Sequence, residues 1–268
     1  MDALWSSFID LLPGDWDPFK YWYIWRFLLY GLRVSVQIAV IAILLSLVVG
    51  ILMSVARLSP IPIVRILGTT YIETFRATPL LLLIFFVFFG AGRFNTSWAM
   101  GVPILDWFVD DRSGDMTPQA SAVLALSLYN SAVVAEIMRA GILSISKGIL
   151  EASRSLGLSY MQSMRFVAVP MALRRMSPGL VSQLITLYKD TSLGALIALE
   201  ELLRKGKLLY ENPTYSNSTI EILTVVALMY FIPNYLLSLY AARLEKGPET
   251  RARADDTLGQ AVAGVGLG

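Results

Sequence analysis

The chain has 268 residues and a mean hydropathy of +0.61, with 56% hydrophobic and only 16% charged side chains, an apolar excess that a single water-soluble core cannot bury. Its net charge of +2 is too small for a nucleic-acid binder. With no cysteine and no histidine, thiol nucleophiles, disulfides, imidazole acid–base chemistry and the commonest zinc and haem ligand sets are excluded.

In chain order, residues 1–27 come first, and Trp5, Trp16, Tyr21, Trp22, Tyr23 and Trp25 mark them as an interfacial segment. The uncharged run that follows Arg33 is too long for a signal-peptide core and reads as retained. At about 1.5 Å per residue, residues 34–56 span roughly the 30 Å hydrocarbon layer. The pattern predicts an all-α integral membrane domain over residues 28–246 with about five transmembrane helices, at 28–56, 70–90, 118–139, 177–199 and 218–242. The second holds Glu73 and Arg76, and the fourth holds Lys189 and Asp190. Residues 247–268, rich in glycine with Pro248, Asp255 and Asp256, read as a disordered tail.

Loop charges set the expected sidedness. Arg57 and Arg65 follow the first run; Arg139, Lys147, Arg154, Arg165, Arg174 and Arg175 follow the third; Arg243, Lys246, Arg251 and Arg253 follow the fifth. The loop after the second run instead carries Asp106, Asp110, Asp111 and Asp115 against Arg93 and Arg112. The positive-inside rule then places the N-terminus outside and the C-terminus in the cytoplasm.

Residues 144–170 lie on the basic side and are not expected to cross. A first short helix runs from about Lys147 to Leu156 and stops at Gly157, which can take the left-handed conformation. Ser159 and Gln162 form an S-x-x-Q capping box that restarts a helix, which is expected to end before Pro170. Pattern alone leaves open a cytoplasmic elbow or an amphipathic connector on the bilayer surface.

Glu151-Ala152-Ser153, with Gly157 and the closing Pro170, resembles the EAA loop of ATP-binding-cassette (ABC) importer permeases. Phe75-Arg76-Ala77-Thr78-Pro79-Leu80-Leu81, Ala135-Glu136-Ile137-Met138-Arg139 and Lys189-Asp190-Thr191-Ser192-Leu193 resemble, in the right order, motifs of the polar amino acid uptake family. Ala77, Ile149 and Met171 stand where that family often has Gly, Gln and Gln. Within the family the chain looks most like permease subunits of actinobacterial glutamate importers.

The resemblance implies a type I ABC importer permease fold with a cytoplasmic EAA coupling helix, and glutamate as the transported amino acid. Expected partners are two ABC ATPase subunits, a second permease, identical or related with the related one favoured, and an extracytoplasmic substrate-binding protein. The chain is expected to be a transport subunit and not an enzyme, since it has no phosphate-binding G-x-x-x-x-G-K-[ST]: Gly206-Lys207 runs into Leu208. ATP and Mg would sit on the partner ATPase, and this chain is expected to bind no cofactor or metal. Glu151, Ala152 and Gly157 are the expected ATPase-coupling positions.

For the substrate path, ionisable groups within spans need partners or a wet cavity. Glu73 and Arg76, three apart, can pair within their helix. A helix unwound at Gly194 would offer Lys189, Thr191 and Ser192 to an amino acid's carboxylates and Asp190 to its ammonium. An interhelical salt bridge is the alternative use of Lys189 and Asp190. Arg76, Glu136 and Asn130 are further candidates, Asn130 with the alternative of bridging helices. Two rival functions are an ion-coupled secondary transporter using Lys189 and Asp190, and a structural membrane subunit.

Overall fold

The computed structural model describes residues 13–91 and 117–245, together with Ile9. Trp5, the acidic loop with Asp106 to Asp115, and the expected disordered tail lie outside the described residues.

After a 3-10 turn at Asp17–Lys20, helix α1 runs over Trp22–Leu58. Its buried side is a file of small residues, Gly31, Ser35, Ala39, Ala42, Ser46, Gly50 and Ser54, which lets another helix backbone come close. That neighbour is α4, Pro118–Leu143, capped by the Thr117 hydroxyl accepting the Ala120 N–H at 3.2 Å. Ser46 Oγ donates to the Ser127 carbonyl at 3.3 Å and Ser127 Oγ to the Ala42 carbonyl at 3.5 Å. Residue numbers rise together along this seam, so α1 and α4 are parallel.

Between them the chain returns through α2, Pro62–Ala77, and α3, Leu80–Ala91. The bend of 103° between them falls at Thr78-Pro79. Thr78 is extended (φ −82°, ψ 128°), as the residue before a proline prefers.

After α4 come α5, Lys147–Ser155, and α6, Tyr160–Ser163. A π-turn over Met164–Ala168 then leads into α7, Val169–Asp190. The helix expected to end before Pro170 does not end there. The wide turn, in which the Val169 N–H reaches back to the Met164 carbonyl, relieves the clash a proline ring makes with an ordinary preceding turn. Helix α7 runs back antiparallel to α4, since Gly141 abuts Met176 and Gly179 abuts Ile137.

The 3-10 stretch Thr191–Ile197 and short helix α8, Leu202–Tyr210, lead to α9, Thr219–Glu245. Near the start of α9, Glu221 accepts the Asp15 N–H at 2.9 Å, and Tyr215 meets Tyr23 hydroxyl to hydroxyl. Helix α9 therefore starts at the same end as α1 and runs parallel to it.

The expectation of about five transmembrane helices is not met. Among the described residues three helices are long and apolar enough, Trp22–Leu58, Pro118–Leu143 and Ser216–Leu244, or four if the bent pair α2–α3 counts as one. The second expected span is broken by Pro79. The fourth fails because α7 ends at Asp190, which leaves only residues 177–190 of the expected run in it, and its N-terminal part carries Arg174 and Arg175. What holds is an all-α integral membrane fold in which parallel apolar helices are joined by bent or polar return segments.

Candidate functional site: the elbow, the end of α7 and an ion cluster

The elbow is built as its local sequence dictates. At the end of α5 the Gly157 N–H bonds the Arg154 carbonyl at 2.9 Å and the Leu158 N–H bonds the Ser153 carbonyl at 3.3 Å. This paired closure needs a left-handed residue between them, and Gly157 has φ +86°. The capping box also forms: the Ser159 N–H donates to Gln162 Oε1 at 2.8 Å and the Gln162 N–H to Ser159 Oγ at 3.3 Å. Ser153 is buried under α5, whereas Glu151, Ala152, Gly157 and Leu156 are exposed, Leu156 at 84%. Arg175 Nη1 donates to the Ser144 carbonyl at 2.5 Å, tying the start of α7 to the end of α4.

At the far end of α7, the helix tightens into the 3-10 stretch beginning at Thr191. Lys189 is exposed and Asp190 half-buried, and neither forms an ion pair among the described residues. Thr191 is fully buried with its hydroxyl donating to the Tyr188 carbonyl at 2.8 Å, and Ser192 Oγ donates to the Lys189 carbonyl at 2.8 Å. Gly194 is packed so closely that a Cβ there would lie 2.4 Å from Leu199 Cδ2.

The remaining charged candidates gather at the elbow end of the bundle. Arg57 binds Glu73 at 2.9 Å through Nη2 and Glu136 at 3.1 Å through Nη1. Arg139 holds both oxygens of Glu136, at 2.9 and 2.6 Å. Glu73 thus pairs across helices with Arg57 and not with Arg76, which is exposed and lies near Glu136. Asn130, fully buried, donates to the Leu126 carbonyl at 2.8 Å and accepts from Gln183 Nε2, bridging α4 and α7.

Sequence reasoning gave no site role to three participants. Arg57, by sequence only a loop charge, joins α1, α2 and α4. Gln183 had no ion or motif to announce it. Glu201 is fully buried and accepts from the Leu203 and Arg204 N–H groups at 2.8 and 2.7 Å and from the Tyr230 hydroxyl at 2.5 Å. The two acids at 200–201 were the available signal, because the first, Glu200, also anchors the buried Lys205 at 2.8 Å.

A bundle of apolar helices with buried charged groups and an exposed two-helix elbow at one end defines a polytopic membrane protein. Residues 42–248 match the model of the binding-protein-dependent transport system inner membrane component family, and the chain belongs to that family. It is 40% identical over 219 residues to the probable glutamine ABC transporter permease protein GlnP of Bacillus subtilis, covering 82% of this chain and 92% of that one. To the glutamate transport system permease protein GluD of Corynebacterium glutamicum it is 33% identical over 238 residues, covering 88% and 81%. The crystal structure of an amino acid ABC transporter with histidines contains a chain that superposes with a TM-score of 0.70 at 25% identity, covering 82% and 94%.

The protein is a transmembrane permease subunit of an ABC amino-acid importer, and ATP hydrolysis belongs to partner ATPase subunits. That membership displaces the secondary-transporter and structural-subunit readings.

Proposed function

We propose that this permease carries glutamate, delivered by an extracytoplasmic binding protein. It works beside a related second permease and two ATPase subunits that dock on the elbow through Glu151, Ala152 and Gly157. The observation that carries the substrate reading is Lys189, an exposed ammonium at the end of α7 that pairs with no described carboxylate. It is free to meet a substrate carboxylate, with Asp190 beside it for the substrate ammonium. Ser192 and Arg76 stand as secondary contacts. Thr191, Asn130 and Glu136 are engaged with protein groups in this conformation and would join the path only after rearrangement.

In this reading the N-terminus faces outward and the C-terminus the cytoplasm. Helices α1, α4 and α9 all end on the elbow side, where Arg57, Arg65, Arg139, Lys147, Arg154 and Arg243 also lie, and this supports the orientation.

Glutamine is the second reading, favoured by the 40% identity to a glutamine permease. ATP-driven uptake by the assembled importer, with binding protein saturating, separates the two. Lys189→Met is expected to lower glutamate uptake at least about tenfold, as loss of a charge-assisted bond requires. Unchanged affinity and rate would remove Lys189 from the path, and faster uptake of glutamine than of glutamate by the unmodified importer would replace the substrate. Co-purification with the tagged chain, followed by identification of every subunit, checks the partners.

A further inference from the structure

Between Ser177 and Asp190, α7 exposes three side chains, Ser182, Thr186 and Lys189, and all are polar. Spaced four and three residues apart, they form one file along a single face. The fully buried residues of the same stretch are Leu187 and Tyr188. Helix α1 is arranged the opposite way. Between residues 38 and 56 every side chain it exposes is Val, Leu or Ile, as lipid contact demands, and exposed Gln37 lies just before this stretch.

The two faces lie at the same depth. Leu187 and Tyr188 share a core cluster with Val34, Ile38, Ala39 and Ala42 of α1, and Gln183 is level with Asn130 in the middle of α4. Lipid cannot cover a lysine and two hydroxyls there without cost. Thr186 Oγ1 donates to the Ser182 carbonyl at 3.1 Å, which leaves its oxygen free to accept. Ser182 Oγ forms no hydrogen bond among the described residues.

We propose that Ser182 and Thr186 stand with Lys189 on one wall of the translocation path and contact the transported amino acid directly. Together they make a ladder of two hydroxyls and an ammonium at steps of about one helical turn. Such a ladder suits a substrate with a carboxylate at one end and hydrogen-bonding groups along its length. The proposal rests on the reading of Lys189 as a path residue and adds two selectivity residues that no motif marks.

The chain has no cysteine, so single cysteines can be placed without background from it. In the assembled importer with cysteine-free partners, Ser182→Cys and Thr186→Cys are expected to react with a charged methanethiosulfonate at least about tenfold faster than Val48→Cys on the lipid face of α1. Only a wetted thiol ionises to the reactive thiolate. The transported amino acid should slow both reactions. Reaction as slow as at Val48→Cys would show the face sealed by lipid or protein and overturn the proposal. Fast reaction that no amino acid slows would overturn direct contact. Protection by glutamine and not by glutamate would uphold this wall while overturning glutamate as the cargo. In uptake assays Ser182→Ala and Thr186→Val should each raise KM about fivefold, the loss of one hydrogen bond. An unchanged KM in both would overturn the selectivity role.

Discussion

The guanidinium of Arg57, at the end of α1, lies 3.1 Å from the Glu136 carboxylate of α4 and clamps the two parallel helices at the elbow end. Through its other nitrogen it also reaches Glu73 of α2. Both side chains of the Arg57–Glu136 pair are about a quarter exposed, so the pair sits between a surface bridge and a buried one. Arg57→Met should destabilise the purified chain by about 1–3 kcal/mol in detergent unfolding. A double-mutant cycle with Glu136→Gln should give about 1 kcal/mol of coupling. Strict additivity would show that the clamp contributes nothing.

The α1–α4 seam depends on Gly50. A Cβ there would lie 2.6 Å from Val134 Cγ1 and 3.0 Å from the Ser131 carbonyl, both on α4. Val134 can be trimmed, but the carbonyl is backbone. Gly50→Ala is therefore expected to lower the midpoint of thermal unfolding, at a cost of about 1–3 kcal/mol, and Gly50→Ala with Val134→Ala to recover only part of it. Full recovery by the double substitution would mean that the backbones are not as close as the seam requires.

At the elbow, a Cβ on Gly157 would meet nothing within 4 Å, so only its φ of +86° resists substitution. Gly157→Ala should cost about 1 kcal/mol and Gly157→Asn less, because asparagine tolerates the left-handed region. Gly157→Leu adds bulk to the exposed corner and should insert normally yet lose the ATPase in pull-down. Intact coupled transport in Gly157→Leu would remove this corner from the docking surface.

These contrasts show where the chain was readable. The Gly157 stop and the Ser159–Gln162 box involve bonds spanning five residues or fewer, so their signals lie within one short window of sequence. The break at Thr78-Pro79 was equally local. It was overrun because apolar residues continue on both sides of the proline, and hydropathy does not register direction. Residues 177–199 met the length of a span, but α7 ends within them at Asp190. The Arg57–Glu73 pairing replaced the expected Glu73–Arg76 pair because α1 delivers a second guanidinium from 16 residues away, a tertiary fact invisible to i, i+3 spacing. Among the site candidates, Lys189 and Asp190 could be named from their charge, whereas Ser182 and Thr186 emerge only when the outward face of α7 is compared with that of α1.

Glu201 offers the sharpest test of the packing at the other end of the bundle. Its carboxylate starts α8 by accepting the Leu203 and Arg204 N–H groups, and it also accepts from Tyr230 of α9 and, at 3.4 Å, from Ser35 of α1. Ser35 Oγ in turn accepts the Leu202 N–H at 3.2 Å. Every group bonded to the carboxylate is a donor, three converging on Oε2 and one on Oε1, and Ser35 shares its proton with the Gly31 carbonyl. Tyr230→Phe deletes one donor and should cost about 1.5–3 kcal/mol, the range for a hydrogen bond to a charged group. Glu201→Gln should cost more despite its similar size, because its NH2 must turn toward at least one donor and leave that donor unsatisfied. Urea unfolding of the purified chain in detergent, followed by circular dichroism, orders the two variants. Glu201→Gln as stable as the unmodified chain would mean that the carboxylate does not need its charge, and that α8 is held by the close approach of Leu202 to Gly31 alone.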